Sequence, residues 1–512
     1  MNARRGPRHD PEACGHCQRS KAATTPLHEP PGWASDAVFY QIFPDRFARA
    51  GDAKPNGLEP WGSPPTFHGY MGGDLDGVVE RLDWLTELGA NAIYLNPIFQ
   101  SGSNHRYHTH DYFRVDPLLG GDPAFERLLA ACHARGIRVI LDGVFNHSSR
   151  GFFQFHDVLE NGRESPYSDW FHIHEWPLHP YSVDQPANYE GWWGLKALPK
   201  FNTDNPLVRE FLMEVAEHWI RAGIDGWRLD VPEEIDTPGF WEEFRERVRA
   251  INPDAYIVGE IWGDASFYIA DGTRFDATMN YQFTAATIAF VVGRRLDHTT
   301  RLDNPLYTVA PALDAASYRE RMARLIERYP QQVVQANLNL LDSHDTARLI
   351  TIAGGDTQSV VLSLVLLLTT PGAPCLYYGT EIGLPGGVDP DNRRSFPWNE
   401  PETWNTTILE SARQLIALRS ENLALRAGGY RVLWPPEQGD GSMIYAFERA
   451  VGGDRIVVMV NAGDETESQT VPFQLVDAAK GELLWGSAEV VPGENQLRVT
   501  MSPRRAAIYR LR

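Results

Sequence analysis

Three fragments, GWRLDV (Gly226 to Val231), VGEIW (Val258 to Trp262) and DSHDT (Asp342 to Thr346), place Asp230, Glu260 and Asp345 in order along the chain. Each acid closes an apolar segment of the kind that forms a buried strand. In a parallel barrel the C-terminal strand ends converge on one face, where active sites sit. Three acids gathered there form a catalytic centre, and carboxylates supply nucleophilic and acid–base chemistry. An isolated Asp after a strand is usually a cap or turn residue. The conjunction of the three acids with Arg228, His147 and His344, all at such ends, carries the argument.

Eight segments qualify as the strands that position these groups. They are VFYQIF from Val38, AIYLNPI from Ala92, RVILDGVF from Arg138, GWRLDV from Gly226, YIVGEIW from Tyr256, FDATMNY from Phe275, QANLNLL from Gln335 and CLYYGTE from Cys375. Their continuous apolar character is what burial on both faces requires. Between them lie helical patterns, namely Gly77 to Ala90, Pro123 to Gly136, Pro206 to Gly223 and Phe240 to Ile251. Several begin at Pro and end at Gly, which are helix boundary signals. Strands alternating with helices eight times predict an α/β fold, a (β/α)8 TIM barrel over residues 34–423. The connection after the third strand, residues 148–205, is too long for a simple loop and is expected to be an inserted small domain over the site. From about Ala424 to the C-terminus, short alternating segments between Gly, Asp and Pro turns predict an antiparallel β-sandwich.

The chain has 512 residues, 43% of them hydrophobic, enough for a large core and more than one domain. A net charge of -20 argues against nucleic acid, whose binding depends on clustered Lys and Arg. The apolar run from Val360 to Thr370 is too short for a bilayer, which takes about 20 residues, so a buried helix and no membrane are expected. No apolar h-region follows the basic start, which predicts a cytoplasmic protein. Cys132 and Cys375 lie in apolar segments as packed thiols. Cys14 and Cys17 in CGHC lack the second ligand pair that would make a zinc spacing specific. Residues 1–33 are expected to form a disordered tail.

The blocks DGVFNH (Asp142 to His147), GWRLD, GEIW and SHD (Ser343 to Asp345), in this order, resemble those of the α-amylase family of glycoside hydrolases. GGDLDGV after Met71, SNHRY before His108, LPKFN from Leu198, FDATMNY and DPDNRR from Asp389 are similar to the cyclomaltodextrinase, neopullulanase and maltogenic amylase group. The resemblance implies a retaining hydrolase of α-1,4 bonds in maltodextrins, with cyclodextrins and pullulan as further substrates. A transglycosylase or a trehalose synthase shares the same machinery and stays open as the alternative, as does a non-catalytic binding member. In the retaining mechanism two carboxyl groups about 5 to 5.5 Å apart serve as nucleophile and as acid and base. By resemblance these are Asp230 and Glu260, with Asp345 stabilising the transition state. Glu260 would need a raised pKa to act as an acid, and Arg228 would hold Asp230 ionised. Tyr107 would stack on the reacting sugar, His147 and His344 would hydrogen-bond it, Trp262 would lie on the leaving-group side, and Asp389 and Arg393 would hold the non-reducing end.

The chain departs from the group at His108, where an Asp is usual, and at VPEE after Asp230, where Glu233 adds an acid. Only a short tail precedes Ala34, where the group carries a further β-rich domain. No cofactor is required by the resemblance. A calcium ion is the one metal it suggests, with Asp52, Gly72, Asp74 and Asn146 as matching positions and Ala50 in place of an Asn ligand. The partner is an α-glucan oligosaccharide, and the protein would be a monomer or homodimer.

Overall fold

The computed structural model describes residues 29–51, 57–297, 312–436, 441–472, 481–493 and 496–511, so Cys14, Cys17 and Asp52 lie outside the described residues. Each of the eight apolar segments supplies a barrel strand: β1 (Phe39–Ile42), β2 (Ala92–Leu95), β3 (Arg138–Gly143), β4 (Gly226–Leu229), β5 (Tyr256–Gly259), β6 (Ala277–Thr278), β7 (Leu338–Leu340) and β8 (Ala373–Tyr377). All pairings are parallel, in the order β6-β5-β4-β3-β2-β1-β8-β7. A parallel bridge from Met279 to Leu338 joins the ends of that row and closes the ring. Every residue of β1, β2, β4, β5, β7 and β8 is buried, because side chains of one face fill the barrel and those of the other meet the helices.

The strands are shorter than their apolar segments. Gln335 and Ala336 belong to the helix Gln331–Ala336, which Pro330 initiates, so β7 starts only at Leu338. The single helix predicted from Gly77 to Ala90 is instead two, Leu75–Glu80 and Leu82–Leu88. Arg81 leaves the helical conformation at the break, and its guanidinium lies 4.4 Å from the Trp398 ring. The run Val360 to Thr370 lies almost entirely in the helix Thr357–Thr369, capped by Asp356 and buried from Ser359 onward. Among the described residues no helix is long and apolar enough to cross a membrane. Cys132 and Cys375 are buried free thiols.

Residues 148–205 hold the helix Phe153–Asn161, three short 3-10 turns and isolated antiparallel bridges, pinned by rings: Phe155 meets Phe171 at 4.8 Å and Phe171 stacks on Phe201 at 5.7 Å. A bridge between His147 and Lys200 ties the two ends of this segment together beside the barrel mouth. After the helix Leu423–Ala427 the chain forms antiparallel sheets of five and three strands, beginning at Gly429. In the larger sheet the strands Ile444–Val451 and Asp454–Asn461 are buried on both faces over most of their length. Tyr445, Phe447, Ile456 and Val458 join the barrel core, while Ile444, Ala446, Val457 and Met459 pack with Leu497, Val499 and Met501 of the smaller sheet.

Candidate active site

Asp142, Arg228, Asp230 and Glu260 sit at the C-terminal ends of β3, β4 and β5, in the register that pairs Asp142 with Arg228. Alternation along β4 directs Arg228 and Asp230 to the same side. Arg228 is fully buried and meets three carboxylates: Asp142 at 2.7 Å, Glu260 at 2.8 Å and Asp230 at 3.2 Å. The guanidinium is therefore shared, where the sequence pointed to a pair with Asp230 alone. Burial, ahead of the charges of Glu260, Asp142 and Asp345, pushes the Asp230 carboxyl well above its ordinary range, and Arg228 opposes that rise.

Asp142 is the group that the sequence reading passed over. It accepts hydrogen bonds from Tyr94 Oη (2.6 Å) and Tyr107 Oη (2.7 Å) besides pairing with Arg228. Its signal was an acid inside the otherwise apolar run RVILDGVF, a position where a charge persists only when paired. Gln41 on β1 was missed as well. Its amide Nε2 lies 2.8 Å from His344 Nδ1 and donates to Asn96 at 3.1 Å.

Besides Arg228, two hydrogen-bond donors hold Glu260. Trp262 Nε1 donates to its Oε1 (3.1 Å) and the Val231 amide to its Oε2 (3.2 Å). Val231 reaches that position in a left-handed conformation, φ 36° and ψ 52°. For a β-branched residue before a proline this costs on the order of 1–3 kcal/mol, strain of the kind found at functional sites. Trp262 in turn stacks face to face on Tyr281, with centroids 3.6 Å apart. Glu233 lies exposed on the same turn, its carboxyl pushed up to about 7 by partial burial and by Glu260.

Asp345 follows β7, with Oδ2 3.1 Å from His344 Nε2 and Oδ1 3.6 Å from Arg393. Desolvation at the crowded barrel mouth, then Glu260, lifts its partly exposed carboxyl to about 7, while Arg393 and Arg228 pull it down. Arg393 reaches on to Asp389 at 3.0 Å and donates to the His344 carbonyl, which also accepts from Asn392. Tyr107 stacks on His344 at 5.5 Å and 5°, its hydroxyl 2.6 Å from Nε2. His147 is buried, its Nδ1 3.3 Å from Asn146 Nδ2 and its ring stacked on Trp192; burial drops it to about 3, so its ring is neutral. Its Nε2 has no protein partner. His108, where relatives were expected to carry Asp, is half-buried beside His105 and Arg150, and desolvation lowers it to about 4.

The structure thus brings together Asp230, Glu260, Asp345, Arg228, Tyr107, His147, His344, Trp262, Asp389 and Arg393. Of the metal positions among the described residues, Asn146 touches this group, through His147 at 3.3 Å. Gly72 donates its amide to Asp45 within a turn at φ 76°, and Asp74 caps the helix Leu75–Glu80 through Gly77. Asn146 offers a buried amide oxygen with no protein partner. Among the described residues no group of three or more His, Cys, Asp or Glu is placed to hold a metal.

A closed parallel barrel whose strand ends gather paired carboxylates, one shared guanidinium and flat rings defines a glycoside hydrolase of the barrel type. The profile of the α-amylase catalytic domain matches residues 41–414, and the chain belongs to the α-amylase family. It is 41% identical over 473 residues to a cyclomaltodextrinase of Geobacillus thermopakistaniensis, covering 91% of this chain and 76% of that one. The crystal structure of a debranching enzyme from Nostoc punctiforme superposes with a TM-score of 0.86 at 53% identity, over 94% of this chain and 99% of the other. The cyclic α-maltosyl-(1→6)-maltose hydrolase of Arthrobacter globiformis, solved with that sugar, gives 0.82 at 37% identity, over 94% and 100%.

Proposed function

We propose that this chain hydrolyses α-1,4-glucosidic bonds of maltodextrins with retention of configuration, and opens cyclodextrins and cleaves pullulan by the same chemistry. The observation that carries this is the placing of Asp230 and Glu260 on one buried guanidinium, which sets beside each other the two carboxyl groups that retention requires. Glu260, oriented by Trp262 and Val231, gives its proton to the glycosidic oxygen while Asp230 attacks the anomeric carbon. The glucosidic bond breaks, a glycosyl ester forms on Asp230, and the shortened glucan leaves with the proton. Glu260 then takes a proton from water, whose oxygen displaces Asp230 from the same carbon and regenerates both carboxyl groups.

Asp345, His344 and the unpartnered Nε2 of His147 hold the hydroxyls of the reacting sugar, and Tyr107 lies under its ring. Arg393 and Asp389 hold the unit beyond it. The substrate range follows from the likeness to a cyclomaltodextrinase and to hydrolases of branched and cyclic α-glucans. Calcium, a hard cation, matches oxygen donors such as Asn146 Oδ1; it would act as a structural ion, and the carboxylates alone carry the proposed reaction.

A chromatographic time course on maltoheptaose and β-cyclodextrin, with the purified chain, tests this reading. Opening of the ring with maltose and glucose as end products supports the full range. Cleavage of the linear chain alone restricts it to maltodextrins. Accumulation of longer glucans or of trehalose overturns hydrolysis in favour of transfer.

A further inference from the structure

A turn in the inserted segment carries an aromatic feature that the catalytic groups do not account for. The His147 ring stacks on Trp192 at 5.5 Å and 21°, and Trp192 stacks on Trp193 at 4.7 Å and 13°. Three near-parallel rings therefore run from a buried histidine of the site to the surface, where Trp193 is 77% exposed. Trp193 sits at φ 52° and ψ 24°, a left-handed conformation that a residue with a Cβ rarely adopts. The indole N–H of Trp192 is buried and has no protein partner.

The surrounding backbone fixes this unusual pose. Trp192 N donates to Leu198 O, Gly194 N to Gly191 O, and Leu195 N to Trp192 O, all at 2.8 to 3.0 Å. Gly191 pairs with Pro199, and a Cβ there would meet Leu195 O at 2.4 Å. Tyr189 Oη ties the Lys196 carbonyl at 2.6 Å. Strained backbone held by its surroundings marks functional positions. An exposed indole in such a place stabilises nothing by burial, since one of its faces looks to solvent.

We infer that Trp193, stiffened by Trp192, is a stacking platform for a glucosyl unit of an α-glucan, next to the units held at Tyr107, Arg393 and Asp389. The inference rests on the glucan reading and deepens it by naming a specificity-determining residue. A pyranose presents C–H groups on its faces and hydroxyls at its rim, and a flat ring fixed at the cleft edge matches the faces. Rings two stacking steps from His147 lie within reach of the sugars that flank the reacting one. Two adjoining exposed aromatics of the same segment differ from it. Tyr181 lies under the Arg150 guanidinium, and Phe153 packs its edge on Tyr167.

The test uses the full chain in two arms. In the kinetic arm, Trp193→Ala raises KM for maltoheptaose about tenfold with kcat within about twofold, and Trp193→Phe restores most of the loss. Val183→Ala, a fully exposed aliphatic position of the same segment, serves as the control and leaves both constants unchanged. In the binding arm, calorimetric titration of maltoheptaose into Glu260→Gln protein shows affinity about tenfold weaker when Trp193→Ala is added. An unchanged isotherm overturns the inference, as does a fall in kcat at constant KM, or an equal loss in the Phe variant. Turnover by the parent chain judges the glucan reading separately, because the titration needs none.

Discussion

Two fully buried arginines, Arg228 at the barrel mouth and Arg449 at the seam between barrel and C-terminal sheet, solve the same physical problem in opposite ways. Arg228 is surrounded by Asp142, Asp230 and Glu260. Arg449 meets carbonyl oxygens: Thr369 O at 2.6 Å, Gly428 O at 2.9 Å and Gly429 O at 3.2 Å. Burial lowers the Arg449 guanidinium, whereas the carboxylates around Arg228 raise that one. Carbonyl dipoles do not titrate, so no partner of Arg449 changes charge as the pH falls into the acid range. A cluster of acids around one cation is poised, because each proton gained or lost changes the balance for the others.

The contrast breaks most visibly at Asp230. Asp230→Asn removes the nucleophile and little volume, so turnover of maltoheptaose should fall at least about 10⁴-fold while the melting temperature holds. Near-normal turnover at unchanged melting sinks the assignment. Glu260→Gln should cost about 10²- to 10⁴-fold. Azide then intercepts the ester on Asp230 from the face vacated by the leaving group, so a glucosyl azide of retained configuration is the product to look for. Unassisted hydrolysis at the parental rate would show that Glu260 carries no proton.

At the seam the expected loss moves from rate to stability. Arg449→Met keeps length and apolar stem but strands the carbonyls of Thr369 and Gly428, which should cost about 2–4 kcal/mol. Denaturant melting measures this, and kcat per folded molecule should stay as in the parent. A variant that melts normally, or one that folds but loses turnover, would erase the distinction between the two arginines.

Much of the barrel was legible because its strands are buried almost throughout and so write continuous apolar runs, with the acids of the site at or just past the C-terminal ends of β3, β4, β5 and β7. The four blocks around Asp142, Asp230, Glu260 and Asp345 carried the site for the same reason. Strand ends were less legible. Pairing stops where the chain turns toward the barrel mouth, and apolar letters such as Val334 and Ala336 serve a helix as well as a strand. Asp142 escaped because a buried structural acid and a catalytic one look alike until the partner is known. The left-handed Val231 and Trp193 escaped for a different reason. Both residues ordinarily avoid that region; Glu260, 29 residues further on, accepts from the Val231 amide, while Trp193 is held by the hydrogen bonds of its own turn, between Trp192 and Leu198 and between Gly194 and Gly191.

The finest test of the contrast concerns the charge balance itself. The Asp345 carboxyl is pushed up to about 7 by desolvation at the crowded barrel mouth and by Glu260, although the side chain keeps 31% exposure, and Arg393 3.6 Å away pulls it down. The proposed mechanism needs Asp345 and Asp230 as carboxylates, and both are raised, so kcat/KM for maltoheptaose should decline as pH falls through about 7. Removing the positive charge with Arg393→Gln leaves Asp345 facing Glu260 and Asp389 without it, which favours the protonated form. The acid limb should then move to higher pH, by somewhat less than about one unit given that Arg228 still acts on Asp345. The Arg449→Met variant should keep the parental limb, since no titrating acid faces that guanidinium. An acid limb that stays in place in Arg393→Gln would mean that the decline reports Asp230 alone, with Asp345 outside the charge balance set by the arginines.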